Sequence, residues 1–186
     1  MPQSQSETTS SNHPPAHKPV VIQIVGYKNT GKTTLVCRLI ELLKREGYKV
    51  GTVKSDGHDF QMDTPGTDTW RHQTAGADVT AITSPRRSAI LHNEAASLDQ
   101  LLSHMHHVDF VLVEGFKHER YPKLVLVRTD TDAELLNSLR HVIAVVAWPE
   151  AEQLPAISKP LLSSPLYSIN DTEGIAAFIR QWPKHR

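Results

Sequence analysis

Between Val21 and Leu35 the chain reads VIQIVGYKNTGKTTL. A strand-like run ends at Gly26 and a helix-like run resumes after Lys32. The residues between them match G-x-x-x-x-G-K-[ST] at every fixed position, from Gly26 to Thr33. This feature constrains the fold most, because the pattern works only where a buried strand turns sharply into a helix. Val20 to Val25 reads as such a strand, buried on both faces. From Thr33 to Arg45, Leu35, Leu39, Leu42 and Leu43 share one helical stripe, and Gly47 stands where a helix-ending glycine belongs. Gly26 lets the chain turn out of the strand. Gly31 lets backbone amides close around phosphate oxygens. Lys32 brings charge to the β and γ phosphates, and the Thr33 hydroxyl suits Mg²⁺. The helix N-terminus aims free N–H groups at the same phosphates. The expected nucleotide-binding residues are therefore Gly26, Tyr27, Lys28, Asn29, Thr30, Gly31, Lys32, Thr33 and Thr34.

The rest of the chain agrees with an α/β fold. Val50 to Val53 reads as a second strand, followed by a polar loop over residues 55–68 and a short helix from Thr69 to Ala75. The stretch DVTAITSPRRSAILH predicts a β-hairpin turning at Ser84 to Arg87. Ser97 is placed to cap a helix through Leu98, Leu101, Leu102 and Met105. DFVLVEG, KLVLVR and HVIAVVAW read as further strands, with a short helix near Glu134 to Leu139. The segment YSINDTEGIAAFIRQW predicts a strand, an Asp171 cap and a closing helix. Strands alternating with helices imply right-handed crossovers. The expected fold is the P-loop NTPase type, a mainly parallel twisted sheet flanked by helices, with a β-hairpin insertion. Residues 1–18, rich in Ser, Gln, Thr and Pro, read as a disordered tail, and residues 19–186 as a single domain.

Composition excludes several function classes. The chain has 186 residues with 20 Lys and Arg against 20 Asp and Glu, so a uniformly basic surface for nucleic acid is not expected. No apolar run reaches the ~20 residues that cross a bilayer. The N-terminus lacks the pattern of a secretory signal. A single cysteine, Cys37, excludes an internal disulfide and is expected to be packed. Together these features predict a cytoplasmic protein.

A nucleotide site also needs an acid near the magnesium. Glu114 ends the strand FVLVE, at the edge where ligands of an open α/β sheet gather. It is the expected second Mg²⁺ ligand beside Thr33, in a place that usually carries Asp, and Gly115 lets the backbone approach the γ-phosphate. Asp59 and Asp63 lie in the loop after the second strand. They read either as switch residues sensing the γ-phosphate and magnesium or as parts of a solvated loop. His104, His106 and His107 crowd a helix end without a Cys partner or a compact ligand spacing, which argues against zinc. The region AVVAWPEAEQ lacks the Asn-Lys-x-Asp motif by which many GTPases read guanine.

Taken together, GYKNTGKTTL, TVK followed by HD, DTPGTDTWRHQTAGA, LVEGFKHERYPKLVLVR and INDTEGIAAFIRQW resemble the MobB family of molybdopterin-guanine dinucleotide biosynthesis adaptors. The pieces occur in the family's order and span Val20 to Trp182. One departure is visible. The family often carries a histidine-rich run after the second-strand lysine, whereas here Lys54 is followed by Ser55, Asp56 and Gly57, leaving only His58 and Asp59. The resemblance implies a homodimeric GTP binder with slow intrinsic hydrolysis. It also implies work beside the molybdenum cofactor guanylyltransferase MobA, helping to form or deliver the dinucleotide cofactor to target molybdoenzymes or their chaperones. Two other readings remain on the same fold. One is a small-molecule kinase or ligase, for which the adjacent Arg86 and Arg87 in a hairpin turn make a poor lid. The other is a metallochaperone GTPase, for which only scattered histidines are present.

Overall fold

The computed structural model describes residues 18–158 and 164–182. The N-terminal tail expected over residues 1–18 lies almost wholly outside them. Eight strands are described: β1 (Val20–Val25), β2 (Val50–Lys54), β3 (Val79–Thr83), β4 (Ser88–His92), β5 (Phe110–Glu114), β6 (Lys123–Val127), β7 (Val142–Ala147) and β8 (Leu166–Ser168). Six of them form one sheet in the order β2-β5-β1-β6-β7-β8, with every pairing parallel. The helices are α1 (Lys32–Arg45), α2 (Asp68–Thr74), α3 (Leu98–Ser103), α4 (Asp130–Ala133), α5 (Leu135–Ser138), α6 (Pro155–Ser158) and α7 (Thr172–Gln181).

Alternation along the central strands assigns each face its cover. Ile22 and Ile24 of β1, Leu112 of β5 and Leu124 and Leu126 of β6 point to the face covered by α1 and α7. There they meet Leu35, Leu39, Leu42 and Leu43 of α1 and Ile175 and Ile179 of α7. Val25, Val125, Val127, Val145 and Ala147 point the other way, against Ala133, Leu135 and Leu139. Val53, Val111 and Val113 continue that second face against Leu98 of α3. A two-faced burial of this kind is why the strands carry almost continuous apolar runs. The surface ion pairs between α1 and α7, Arg45–Glu173 at 3.0 Å and Arg180–Glu46, add little beside this burial.

Local chemistry places the ends of the helices. Ser97 and Gln100 form a reciprocal capping box at α3, and Asp171 accepts from the Gly174 N–H at the start of α7. The Thr67 hydroxyl caps α2, which therefore begins at Asp68 and not at Thr69. The helix expected over Glu134 to Leu139 is instead two single turns. A capping box between Thr129 and Asp132 starts the first of them at Asp130.

The expected hairpin is present as β3 and β4, joined by a turn in which Ser84 N–H donates to the Arg87 carbonyl at 2.8 Å. It forms a separate two-stranded sheet inserted between β2 and β5. The packed environment expected for Cys37 is not found. Its side chain is exposed, because α1 turns Leu35, Val36 and Leu39 to the sheet and leaves position 37 off that stripe. Among the described residues no helix is long and apolar enough to cross a membrane.

Candidate functional site

Because the six-stranded sheet is wholly parallel, all its carboxyl ends open on one edge. Gly26, Lys54, Glu114, Arg128, Trp148 and Asn170 stand at or just beyond those ends. After β2 the chain fills one side of β1, and from β6 onward it fills the other. The resulting crevice beside β1 is where open α/β sheets bind ligands.

The loop from β1 to α1 has the backbone its residues predict. Asn29 and Gly31 take positive φ angles of 65° and 93°. Gly26 is required by space, since a Cβ there would stand 2.7 Å from the Thr30 hydroxyl and 3.2 Å from the Leu126 carbonyl. Gly31 is required twice, by its φ and by the Trp148 ring, 3.3 Å from where its Cβ would be. Thr30 is buried and donates to the Tyr27 carbonyl at 2.9 Å, and Lys32 Nζ donates to that same carbonyl at 2.6 Å. The lysine is thus folded back over the loop it serves.

The two expected magnesium ligands meet. The Thr33 hydroxyl donates to both Glu114 carboxylate oxygens, at 2.9 and 3.0 Å. A hydroxyl and a carboxylate oxygen in contact are hard donors of the kind Mg²⁺ takes, so these residues fit the ion. Burial, foremost, pushes the Lys32 ammonium below the ordinary lysine value; Glu114 and Asp132 pull it back up while Lys117 and Lys54 push it further down.

Asp59 and Asp63 lie in the loop after β2, at different kinds of place. Asp59 is exposed. Asp63 organises its own loop: its carboxylate accepts from Thr64 N–H at 2.8 Å, Thr67 at 3.0 Å and Gln73 at 3.0 Å. Hydrogen bonding, with Thr69 the largest contributor, holds that carboxyl below its usual value. His104 follows α3 and His106 and His107 are exposed beyond it. Among the described residues no group of three or more His, Cys, Asp or Glu is gathered for a metal.

Several residues around the loop escape sequence reasoning. Trp148 Nε1 donates to the Thr30 carbonyl at 2.9 Å, and the Arg128 guanidinium lies 4.9 Å from the centre of its ring. A cleft beyond it is lined by Gly31, Thr34, Arg38, Trp148, Ile169 and Asn170. A second groove runs between Tyr27, Lys28 and Thr30 on one bank and Arg128, Thr129 and Asp132 on the other. Asp132 is buried and accepts from the Thr129 N–H at 2.8 Å and the Arg128 N–H at 3.1 Å, which braces that bank. The only sequence signal for Trp148 and Asn170 is position: each closely follows the end of a parallel strand.

The parallel sheet, the loop with its lysine folded inward, and the Thr33–Glu114 contact define the class: this is a P-loop NTPase fold. The comparisons with known proteins narrow it. The family model for molybdopterin guanine dinucleotide synthesis protein B, MobB, matches residues 21–148, and the chain belongs to that family. It is 37% identical over 171 residues to the molybdopterin-guanine dinucleotide biosynthesis adapter protein of Escherichia coli, covering 87% of this chain and 92% of that one. The Haemophilus influenzae adapter protein is 34% identical over 170 residues, with 89% and 90% covered. Among solved structures, the MobB homolog from Bacillus stearothermophilus superposes with a TM-score of 0.68 at 32% identity, over 89% of this chain and 99% of that one.

Proposed function

We propose that this chain binds GTP with Mg²⁺ on residues 26–34 and acts as an accessory factor in molybdopterin-guanine dinucleotide biosynthesis. In this reading it is at most a slow GTPase, and it works in the cytoplasm beside the guanylyltransferase MobA and the target molybdoenzymes or their chaperones. The observation that carries the nucleotide part is the contact of Thr33 with Glu114 beside a glycine loop over which Lys32 folds back. The ion, when bound, neutralises phosphate charge. The chain's own part is to hold it through Thr33 and Glu114 and to meet the phosphates with Lys32 and the amides at the start of α1. The cleft formed by Arg38, Trp148 and Asn170 lies on the opposite flank of the loop from Glu114 and suits the base. The Asn170 amide offers both a donor and an acceptor to a purine edge. The accessory role is supported by the names of the relatives, which are biosynthesis adapter proteins.

The test is a titration of GTP against ATP with Mg²⁺. GTP is expected to bind more tightly. Lys32→Ala removes a charge-assisted phosphate contact, so it should lose about ten- to a hundredfold in affinity. Equal binding of GTP by wild type and a folded Lys32→Ala protein overturns the assignment.

The same reading includes a homodimer. Val79 and Ile90 are exposed on one face of the β3–β4 hairpin and Ile82 on the other, and two strands alone make a marginal sheet. Light scattering that gives the mass of one chain, 20.8 kDa, counts against it.

A further inference from the structure

The segment between β5 and β6 carries a lysine to which the site described so far gives no role. Lys117 Nζ lies 4.6 Å from the centre of the Tyr27 ring, over the first residue of the phosphate loop after Gly26. It is half-buried and has no carboxylate partner among the described residues. Lys32 likewise has no ion-pair partner there, its hydrogen bond going to a carbonyl. Neither ammonium is matched by a direct ion pair, so an anion that enters the space beside the loop can be met by both.

The position of Lys117 is built. Gly115 and Phe116 both take positive φ angles, 94° and 52°, and the second is a bulky residue in a strained region. Gln23, in the middle of β1 and fully buried, holds that turn. Its Nε2 donates to the Gly115 carbonyl at 3.2 Å and to the Phe116 carbonyl at 2.5 Å, while its Oε1 is buried without a partner. A buried amide in the central strand of a parallel sheet is costly, so its placement needs a return, and the return visible here is the fixed turn. The far end of the segment is fixed as well. Lys123 is buried and its ammonium donates to the carbonyls of Tyr121, at 2.9 Å, and Glu119. Arg120 and Tyr121 both bond Asp99 of α3. The loop is therefore braced at both ends, with Lys117 directed at the phosphate loop between them.

We infer that Lys117 is a second phosphate-binding cation that contacts the terminal phosphate of a nucleoside triphosphate, and that Gln23 is the positioning residue that aims it. The inference rests on the nucleotide reading of the loop and deepens it. The strand order supplies the direction. Glu114 and Lys117 follow β5 on one flank of β1, whereas the cleft with Trp148 and Asn170 follows β7 and β8 on the other. A nucleotide with its base in that cleft and its metal at Thr33 and Glu114 extends its last phosphate toward Lys117.

The experiment compares GTP, GDP and a non-hydrolysable GTP analogue by calorimetry with Mg²⁺, on wild type, Lys117→Ala, Lys117→Arg and Gln23→Leu. Lys117→Ala should weaken both triphosphates by about tenfold and GDP by less than about twofold, because one charge-assisted contact to the last phosphate is lost. Lys117→Arg should restore most of the preference. Gln23→Leu should lower the triphosphate-to-diphosphate ratio in the same direction, a readout that simple loosening of the core would not shift selectively. If Lys117→Ala leaves the ratio at its wild-type value, the inference is wrong while the nucleotide site stands. If wild type binds neither GTP nor GDP, the nucleotide reading itself is wrong and the inference falls with it.

Discussion

Thr33 and Glu114 are 81 residues apart, yet the hydroxyl of one bridges both oxygens of the other. The pairing of β1 with β5 makes this possible, with Ile24 opposite Glu114 in the register. The Glu114 carboxylate thereby reaches the first turn of α1. This predicts how a change at Glu114 behaves. Glu114→Gln keeps the shape and still accepts from the Thr33 hydroxyl, but it removes the charge that a hard cation prefers. Nucleotide affinity measured with Mg²⁺ should fall by about tenfold, while affinity measured in EDTA should hardly change. An equal loss in both conditions makes Glu114 a structural residue.

At the scale of elements, α1 both presents the phosphate loop and anchors it. Its N-terminus begins at Lys32, and Leu39 near its middle is fully buried between the sheet and α7. Leu39→Ala should cost about 2–5 kcal/mol in urea unfolding, the range for emptying a packed leucine site. GTP affinity of the fraction that stays folded should remain within about threefold of wild type, since the loop's bonds to Tyr27 and Trp148 do not involve Leu39. A loss of binding as large as that of Lys32→Ala would show instead that the helix sets the loop's geometry.

Much of this level is legible in the chain itself. The glycine–lysine loop, the hairpin turn, the caps at Ser97 and Asp171 and the acid at the end of β5 each follow from local chemistry. The expectation for Cys37 fails because a lone cysteine beside a leucine stripe is assigned by residue type, whereas the helical angle decides exposure. Gln23 and Trp148 are invisible for another reason. Their roles depend on strand order, which brings residues about 90 to 120 positions apart into contact, and no local pattern records strand order.

For the whole molecule, equal numbers of acidic and basic residues conceal an uneven layout. Lys32, Lys54 and Lys117 gather near the carboxyl edge of the sheet, and the polar segment of residues 55–68 leaves that same edge from β2. Phe60 and Met62 in it are strongly exposed, 71% and 77%. An exposed apolar pair on a segment rooted beside the phosphate site suits a part whose contacts change when nucleotide binds. Under the proposed function the γ-phosphate and magnesium would bias the segment, with Asp59 and Asp63 as the candidate acids to sense them and release following slow hydrolysis. The expectation is that this chain raises the yield of active molybdoenzyme without making the cofactor itself. It is checked by reconstitution from purified guanylyltransferase, molybdopterin, GTP and an apo-molybdoenzyme. The transferase alone should give some activation, wild-type chain should increase it, and Lys32→Ala should stimulate far less. Dinucleotide formed by this chain without the transferase would refute the accessory role. Stimulation by Lys32→Ala equal to wild type would leave the accessory role intact but remove the nucleotide from it, since the lysine of the phosphate loop itself would then be dispensable.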